Sequence, residues 1–165
     1  MLARGAGVGR GRVAGGKTKR MVAGGKGAVR AYGVRTGEMR WIFHLIPRPG
    51  EVGYDTWPKD AYKTATGLMP WCGKSLDEKR GIVYVATKTA EPDFYGGRRH
   101  GENLFANCVP ALDAATGKRI WHCQRVHHEL LDKDLPCPPP LLTATHKGKK
   151  HDAVAKGRKH GLGAV

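Results

Sequence analysis

An all-β fold is predicted by three observations. Short runs of β-branched and aromatic residues recur, turn residues separate them at close intervals, and one segment returns 80 residues later with its spacing unchanged. Glycine (24 of 165 residues) and proline (10) are too frequent for long helices, while an apolar content of 40% supports one ordinary domain. No apolar run approaches the roughly 18 residues of a membrane-spanning helix. The basic N-terminus has no apolar stretch of the kind a secretory signal requires.

Residues 1–28 are Gly/Arg-rich and offer almost nothing to bury, so they are expected to form a disordered basic leader. Gly7-x-Gly9 has no strand pattern before it and no helix pattern after it, which argues against a dinucleotide loop. From residue 29 the character changes. Trp41, Phe43 and Leu45 alternate with Arg40, Ile42 and His44 as in a strand, which Pro47 and Pro49 end. Residues 51–75 are turn-rich, with Trp57 and Trp71 as large apolar anchors. Gly81–Thr87 is the clearest strand of the chain, and residues 88–103 read as a long loop. A strand over Leu104–Leu112, a turn at Asp113–Lys118 and a strand over Arg119–Val126 follow. Pro136 and Pro138–Pro140 impose an extended segment, then Leu141–His146 supplies a last short strand and Lys147-Gly148 a turn. Three regions result: the leader (1–28), a β region (29–145) and a basic C-terminal segment (146–165).

The net charge of +15 is concentrated at the ends. Residues 1–30 carry +8 and residues 146–165 carry +5, leaving +2 for the middle. Such ends attract polyanions without specificity, and solvated tails are the plainer reading because no base-reading motif accompanies them. Cys72, Cys108, Cys123 and Cys137 form no Cys-x-x-Cys pair, so a zinc ribbon or thioredoxin-type site is not indicated. His122, Cys123, His127 and His128 cluster locally, as metal ligands or, more simply, as strand-edge and core residues.

Ala31-Tyr32-Gly33-Val34-Arg35-Thr36-Gly37-Glu38-Met39-Arg40-Trp41 aligns without gaps on Ala111-Leu112-Asp113-Ala114-Ala115-Thr116-Gly117-Lys118-Arg119-Ile120-Trp121. The shared Ala, Thr-Gly and Trp have a physical reading. A strand closes in a tight turn, an Asp carboxylate caps it, Gly takes the positive-φ position, and the next strand carries an indole to a packing site. Trp41 and Trp121 are therefore read as scaffold. Units of this kind cannot bury their faces alone and stack into propellers or solenoids.

This Ala-x-Asp-x-x-Thr-Gly-x-x-x-Trp pattern resembles the tryptophan-docking motif of pyrroloquinoline quinone (PQQ) dehydrogenases, which are eight-bladed β-propellers. Arg35–His44, Ile46–Glu51, Gly81–Val85, Pro92–Gly96, Asn103–Asn107 and, above all, Thr116–His122 and Val126–Pro136 resemble the membrane-bound glucose dehydrogenase branch in the same order. The resemblance covers about residues 28–161 and implies a partial propeller of about two to three blades. It implies PQQ with a divalent cation, calcium in this group, and oxidation of a sugar or alcohol CH–OH. It also implies a quinone electron acceptor and a periplasmic or inner-membrane-associated setting. Asp132 matches the base that takes the substrate hydroxyl proton, with Asp134 the neighbouring alternative. Lys159, 27 residues further on, matches the lysine that contacts the quinone oxygens. Trp71 matches the indole on which the cofactor stacks, with core packing as the alternative.

Four departures accompany the resemblance. Gly33 replaces the Asp of the motif, Lys88 stands where a Gly is usual and would crowd the cofactor side, Leu131 replaces a usual Trp, and no residue in 1–28 matches the family's calcium ligands. A propeller must close on itself. The expectation is a fragment of a PQQ-dependent oxidoreductase, inactive as this chain alone, from a truncated or frame-shifted reading frame. A basic nucleic-acid-binding protein and a non-catalytic propeller-repeat scaffold are the alternatives.

Overall fold

Alternation along the strands dictates how the sheets stack. A computed structural model describes the backbone of residues 11–16, 27–158 and 161–164, and the side chains of residues 27–157. Among the described residues, three larger antiparallel sheets follow one another along the chain, with a two-stranded one between strands of the first two. The first contains β1 (Gly11–Gly16), β2 (Ala28–Gly33) and β3 (Met39–His44) in that order. A 3-10 turn (Tyr54–Thr56), one helical turn α1 (Ala61–Thr64) and β4 (Thr66–Gly67) lead to the second sheet. That sheet comprises β5 (Lys74–Asp77), β6 (Ile82–Val85), β8 (Cys108–Asp113) and β9 (Arg119–Gln124), in the order β5-β6-β8-β9. The short β7 (Ala90–Glu91), between β6 and β8, pairs with β4 instead. β10 (Leu141–His146), β11 (Lys149–Arg158) and β12 (Gly161–Ala164) form the third sheet.

The second sheet is covered on both faces. Val83, Val85, Cys108 and Leu112 pack with Val29, Trp41 and Leu45 of the first sheet's side. The alternate residues Tyr84, Ala86, Val109 and Ala111 pack with Leu135 and with Val154 of β11. Period-two alternation therefore feeds two cores rather than one core and solvent, which explains why β6 and β8 are apolar almost throughout.

The repeat is structural to the level of register. Ala31 pairs with Trp41 and Ala111 pairs with Trp121, and in both hairpins the register shifts at the next residue. The turns close alike: Gly37 N–H donates to Gly33 O and Gly117 N–H to Asp113 O, each at 2.8 Å. Gly37 and Gly117 have φ of 72° and 73°, the left-handed conformation that glycine adopts without strain. Trp41 then reaches across to the second turn. Its Nε1–H donates to Ala114 O at 3.1 Å, and a Cβ at Gly117 would lie 2.5 Å from its ring. An indole seated on a glycine thus joins the first sheet to the second.

Asp113 accepts from Ala115 N–H (3.1 Å), Thr116 N–H (2.7 Å) and the Thr116 hydroxyl (2.7 Å) through one oxygen. These bonds, the Thr116 hydroxyl first, hold its carboxyl below the ordinary carboxylate range. Asp113→Ala is expected to cost about 1 kcal/mol, read from the urea midpoint at neutral pH. A depressed carboxyl contributes stability above its unfolded value of about 3.9 and loses it as pH falls through the folded value. The midpoints of the two proteins should accordingly converge as the pH is taken below about 4.

Several elements differ from the sequence-based expectation. Gly11–Gly16, within the segment expected to lack structure, forms β1 along β2. The strand expected from Leu104 begins only at Cys108, because Asn103, Phe105 and Asn107 all take positive φ and turn the chain. Trp57 is an anchor, buried with its Nε1–H on Leu104 O, whereas Trp71 is 51% exposed and anchors nothing. Gly7 and Gly9 lie outside the described residues.

Candidate functional site

The ends of β6 and β8 lead into loops that gather most of the buried polar residues. After β6, the Thr87 hydroxyl donates to Phe105 O at 2.6 Å and accepts from Cys108 N–H at 3.0 Å, fixing where the chain leaves the sheet. Two residues on, Thr89 meets the segment that follows β9. Its N–H donates to Asp134 Oδ1 (2.9 Å) and its hydroxyl to Glu129 Oε2 (2.7 Å). Asn107 Nδ2–H donates to Thr89 Oγ1 (3.0 Å) and to Lys133 O (3.1 Å). Residues 129–135 are thereby strapped to both strand ends.

Glu129 is the centre of that strap. It is 2% exposed and also accepts from Leu131 N–H and, at 3.0 Å, from Lys133 N–H. Beside it lies the buried Arg99, whose guanidinium donates to Glu129 O, to Asn103 Oδ1 (2.9 Å) and to Pro92 O (3.4 Å). Burial pulls the Arg99 pKa down, and the charges of Glu129 and Asp93 oppose that pull.

Asp132 sits at the apex of the strapped segment with φ of 52°, a left-handed conformation that Asp tolerates better than most residues. Asp134, the alternative base, is 7% exposed and holds the Thr89 amide, so it is a structural acceptor. Asp132 is only partly buried, and its charge acts on a second carboxyl, Asp93. Burial first, and then the neighbouring carboxylates Asp132, Glu91 and Asp134, push the Asp93 carboxyl up, while Lys88 opposes them. Asp93 Oδ1 is buried and makes no hydrogen bond among the described residues. The Lys88 ammonium is tied to Glu91 at 3.0 Å.

Trp71 belongs to the same group of loops. Its neighbour Cys72 donates from Sγ to Leu135 O at 3.0 Å, and Gly73 lies against Pro138. This juxtaposes the exposed indole with the segment that carries Asp132. Lys159 lies outside the described residues. In β11, Lys156 is buried and its ammonium is turned to the carbonyl of Cys137, with Cys137 Sγ at 3.6 Å.

His122, Cys123, His127 and His128 do not converge. His122 packs edge-on against Phe105 beside Arg119, and burial first, then the Arg119 charge, lowers its pKa. His128 Nδ1 bonds to Gly101 O at 2.8 Å, and His127 approaches Glu102 at 3.6 Å. No group of three or more His, Cys, Asp or Glu side chains among the described residues is placed to hold a metal ion. All four cysteines are free thiols.

Sequence reasoning missed Glu129, Arg99 and Asp93 as parts of the site. The signal available was a group of three acids, Glu129, Asp132 and Asp134, in a segment ending in Leu and Pro; nothing in it indicated which acid would be buried.

A sequence model of the family described as "PQQ: Glucose/ethanol/alcohol dehydrogenase, beta-propeller domain" matches residues 8–163. The quinoprotein glucose dehydrogenase of Escherichia coli (strain K12) is 35% identical over 137 residues, 82% of this chain and 17% of that protein. The quinate/shikimate dehydrogenase (quinone) of Acinetobacter baylyi is 36% identical over 137 residues, with the same two shares. The chain therefore spans about 17% of the length of these relatives. Among solved structures, a quinohemoprotein alcohol dehydrogenase from Pseudomonas putida HK5 superposes with a TM-score of 0.82 at 24% identity, over 96% of this chain and 25% of that one. A europium-containing methanol dehydrogenase superposes with a TM-score of 0.77 at 23% identity, over 92% of this chain and 29% of that one. These likenesses show the fold: the three sheets are consecutive parts of a β-propeller.

Proposed function

The chain belongs to the PQQ-type glucose/ethanol/alcohol dehydrogenase β-propeller family, and on that premise we propose that it is a segment of an oxidoreductase acting on the CH–OH groups of sugars or alcohols. Asp132 accepts the hydroxyl proton, Trp71 offers the face on which PQQ stacks, and Lys159 is the cation beside the quinone oxygens. The observation that carries the reading is the division of labour between two acids. Asp134 is buried on the Thr89 amide, while Asp132 stands only partly buried in the loop that Glu129 straps.

The exposed indole of Trp71 fits a flat tricyclic ring, since offset stacking needs an unobstructed aromatic face. When bound, PQQ supplies a two-electron acceptor for the hydride that leaves the CH–OH carbon. This chain's own residues orient and move the proton. Glu129 and Arg99 hold the loop, and Asp132 takes the proton of the substrate hydroxyl. The divalent cation of the family, calcium by the resemblance, has no ligand set among the described residues, and none of them is assigned to it. The electron acceptor by this reading is a quinone, and the setting is periplasmic or at the inner membrane. No helix among the described residues is long and apolar enough to cross a membrane.

Turnover by this reading needs more of the propeller than these sheets. Titrating the chain with PQQ is expected to quench tryptophan fluorescence saturably, without glucose-dependent dye reduction. Trp71→Leu should remove most of the quenching and weaken binding by about five- to tenfold. Asp132→Asn should leave binding unchanged. Quenching that survives in Trp71→Leu at full amplitude would reject the stacking assignment, and dye reduction by the chain alone would reject its inactivity.

A further inference from the structure

Between the second and third sheets, the apolar packing of Tyr84, Ala86, Val109 and Leu135 is interrupted by two thiols and a cation. Val154 and Lys156 stand two residues apart on β11, so both turn to that core, and Lys156 is 1% exposed. Its ammonium donates to Cys137 O and lies 3.6 Å from Cys137 Sγ, and no carboxylate pairs with it among the described residues. Cys72 packs on the same core. Its Sγ is 3.0 Å from Leu135 O, and a Cβ on the next residue, Gly73, would lie 3.1 Å from Pro138. Residues 72–73 therefore run beside residues 135–138, with Cys137 between the two points of contact. The three groups act on one another: burial first pushes the Cys72 thiol up, the Lys156 charge opposes that push, and the Cys137 sulfur adds to it. Cys108 and Cys123 make no comparable pair. Cys108 is opposite Gln124 and Cys123 is opposite Val109, which sends their side chains to opposite faces of the second sheet.

We propose that Cys137 and Cys72 are a reversible oxidation site for hydrogen peroxide, with Lys156 as the positioning cation. The Cys137 sulfur attacks the peroxide O–O bond, takes one oxygen as a sulfenic acid and releases a water. The Cys72 sulfur then attacks the Cys137 sulfur, the S–O bond breaks, and a second water leaves as the disulfide forms. Two thiols thus give up two electrons and two protons, and one peroxide becomes two waters. Cys137 reacts first because the ammonium beside it offsets the negative charge that its sulfur carries during attack, while Cys72 is the thiol that burial disfavours as an anion. A small oxidant is indicated because both thiols are only partly exposed and the cation is buried. The bond would tie the loop after Trp71 to the segment after Asp132. Neither of those residues reacts, so the inference stands apart from the PQQ reading.

Mass spectrometry of the full chain after a stoichiometric amount of hydrogen peroxide tests it. The intact mass should fall by about 2 Da, one cross-linked peptide should contain Cys72 and Cys137, and a reductant should reverse both changes. Cys72→Ser should stop at a sulfenic acid on Cys137 that dimedone traps, and Cys137→Ser should form no bridge. Lys156→Met should slow the loss of the two thiols about tenfold. A core merely loosened by that substitution would expose Cys137 and speed its oxidation, so the sign of the change separates the two roles. The wild-type peptides keep the proposal testable if a variant fails to fold. A wild type that forms no bridge between Cys72 and Cys137, a bridge through Cys108 or Cys123, or oxidation of Lys156→Met as fast as wild type or faster would each overturn the proposal.

Discussion

Glu129→Ala is expected to lower the stability of the protein by about 3–5 kcal/mol, the cost of stranding several buried hydrogen-bond donors. The side chain is buried and accepts from the Thr89 hydroxyl and from two main-chain amides, so the substitution strands three donors at once. It also removes the nearest compensating charge from Arg99, which burial already disfavours as a cation. Urea denaturation gives the loss directly. Glu129→Gln keeps an acceptor oxygen without the charge and should fall between the two. Amide exchange at Leu131 and Lys133 should accelerate in Glu129→Ala beyond what global unfolding explains, because those amides lose their acceptor. Equal stability of wild type and Glu129→Ala would mean that the strap does not hold the loop carrying Asp132.

Trp41→Ala is the second large effect, again about 3–5 kcal/mol by the usual cost of emptying a buried aromatic site. Trp41 is 8% exposed, fills the space over Gly117 and satisfies Ala114 O. Its loss removes the one indole that joins the first sheet to the turn of the second. Trp121→Ala removes a residue of the same type at the same register from a partly exposed position, and it should cost only about 1–2 kcal/mol. The contrast is informative because sequence and hairpin are shared and only the docking differs. Equal losses, measured by urea denaturation, would show that the hairpin alone sets the energy.

The docking pattern is legible in the sequence because each part has a local cause. A positive-φ turn demands glycine, a strand demands alternation, and Trp recurs where two sheets must meet. β6 and the Lys147-Gly148 turn are legible on the same grounds. β1 is not: Gly-Arg-Val-Ala-Gly-Gly pairs with β2 through its backbone, and backbone pairing leaves no apolar period to read. The chain around Phe105 is misread as strand because its apolar residues suit either state, and what decides is the left-handed backbone of Asn103, Phe105 and Asn107. In the site, Asp132 and Trp71 emerge only through the family resemblance. Glu129 and Arg99 escape because their pairing joins residues 30 apart in the chain, and only burial distinguishes a strap from a solvated acid.

The contact between Trp41 and the second turn is made almost wholly of main chain on one side: a glycine Cα and a peptide carbonyl. It therefore asks little of the side chains around it. Positions 114, 115 and 118 can change freely so long as Gly117 and the turn's backbone remain, and the first copy of the unit, with Val34, Arg35 and Glu38 at those places, keeps the same closure. Units of this kind can drift far apart in composition while still meeting at the same angle, so a propeller built from them tolerates heavy rewriting of its rim and little rewriting of its glycines and tryptophans.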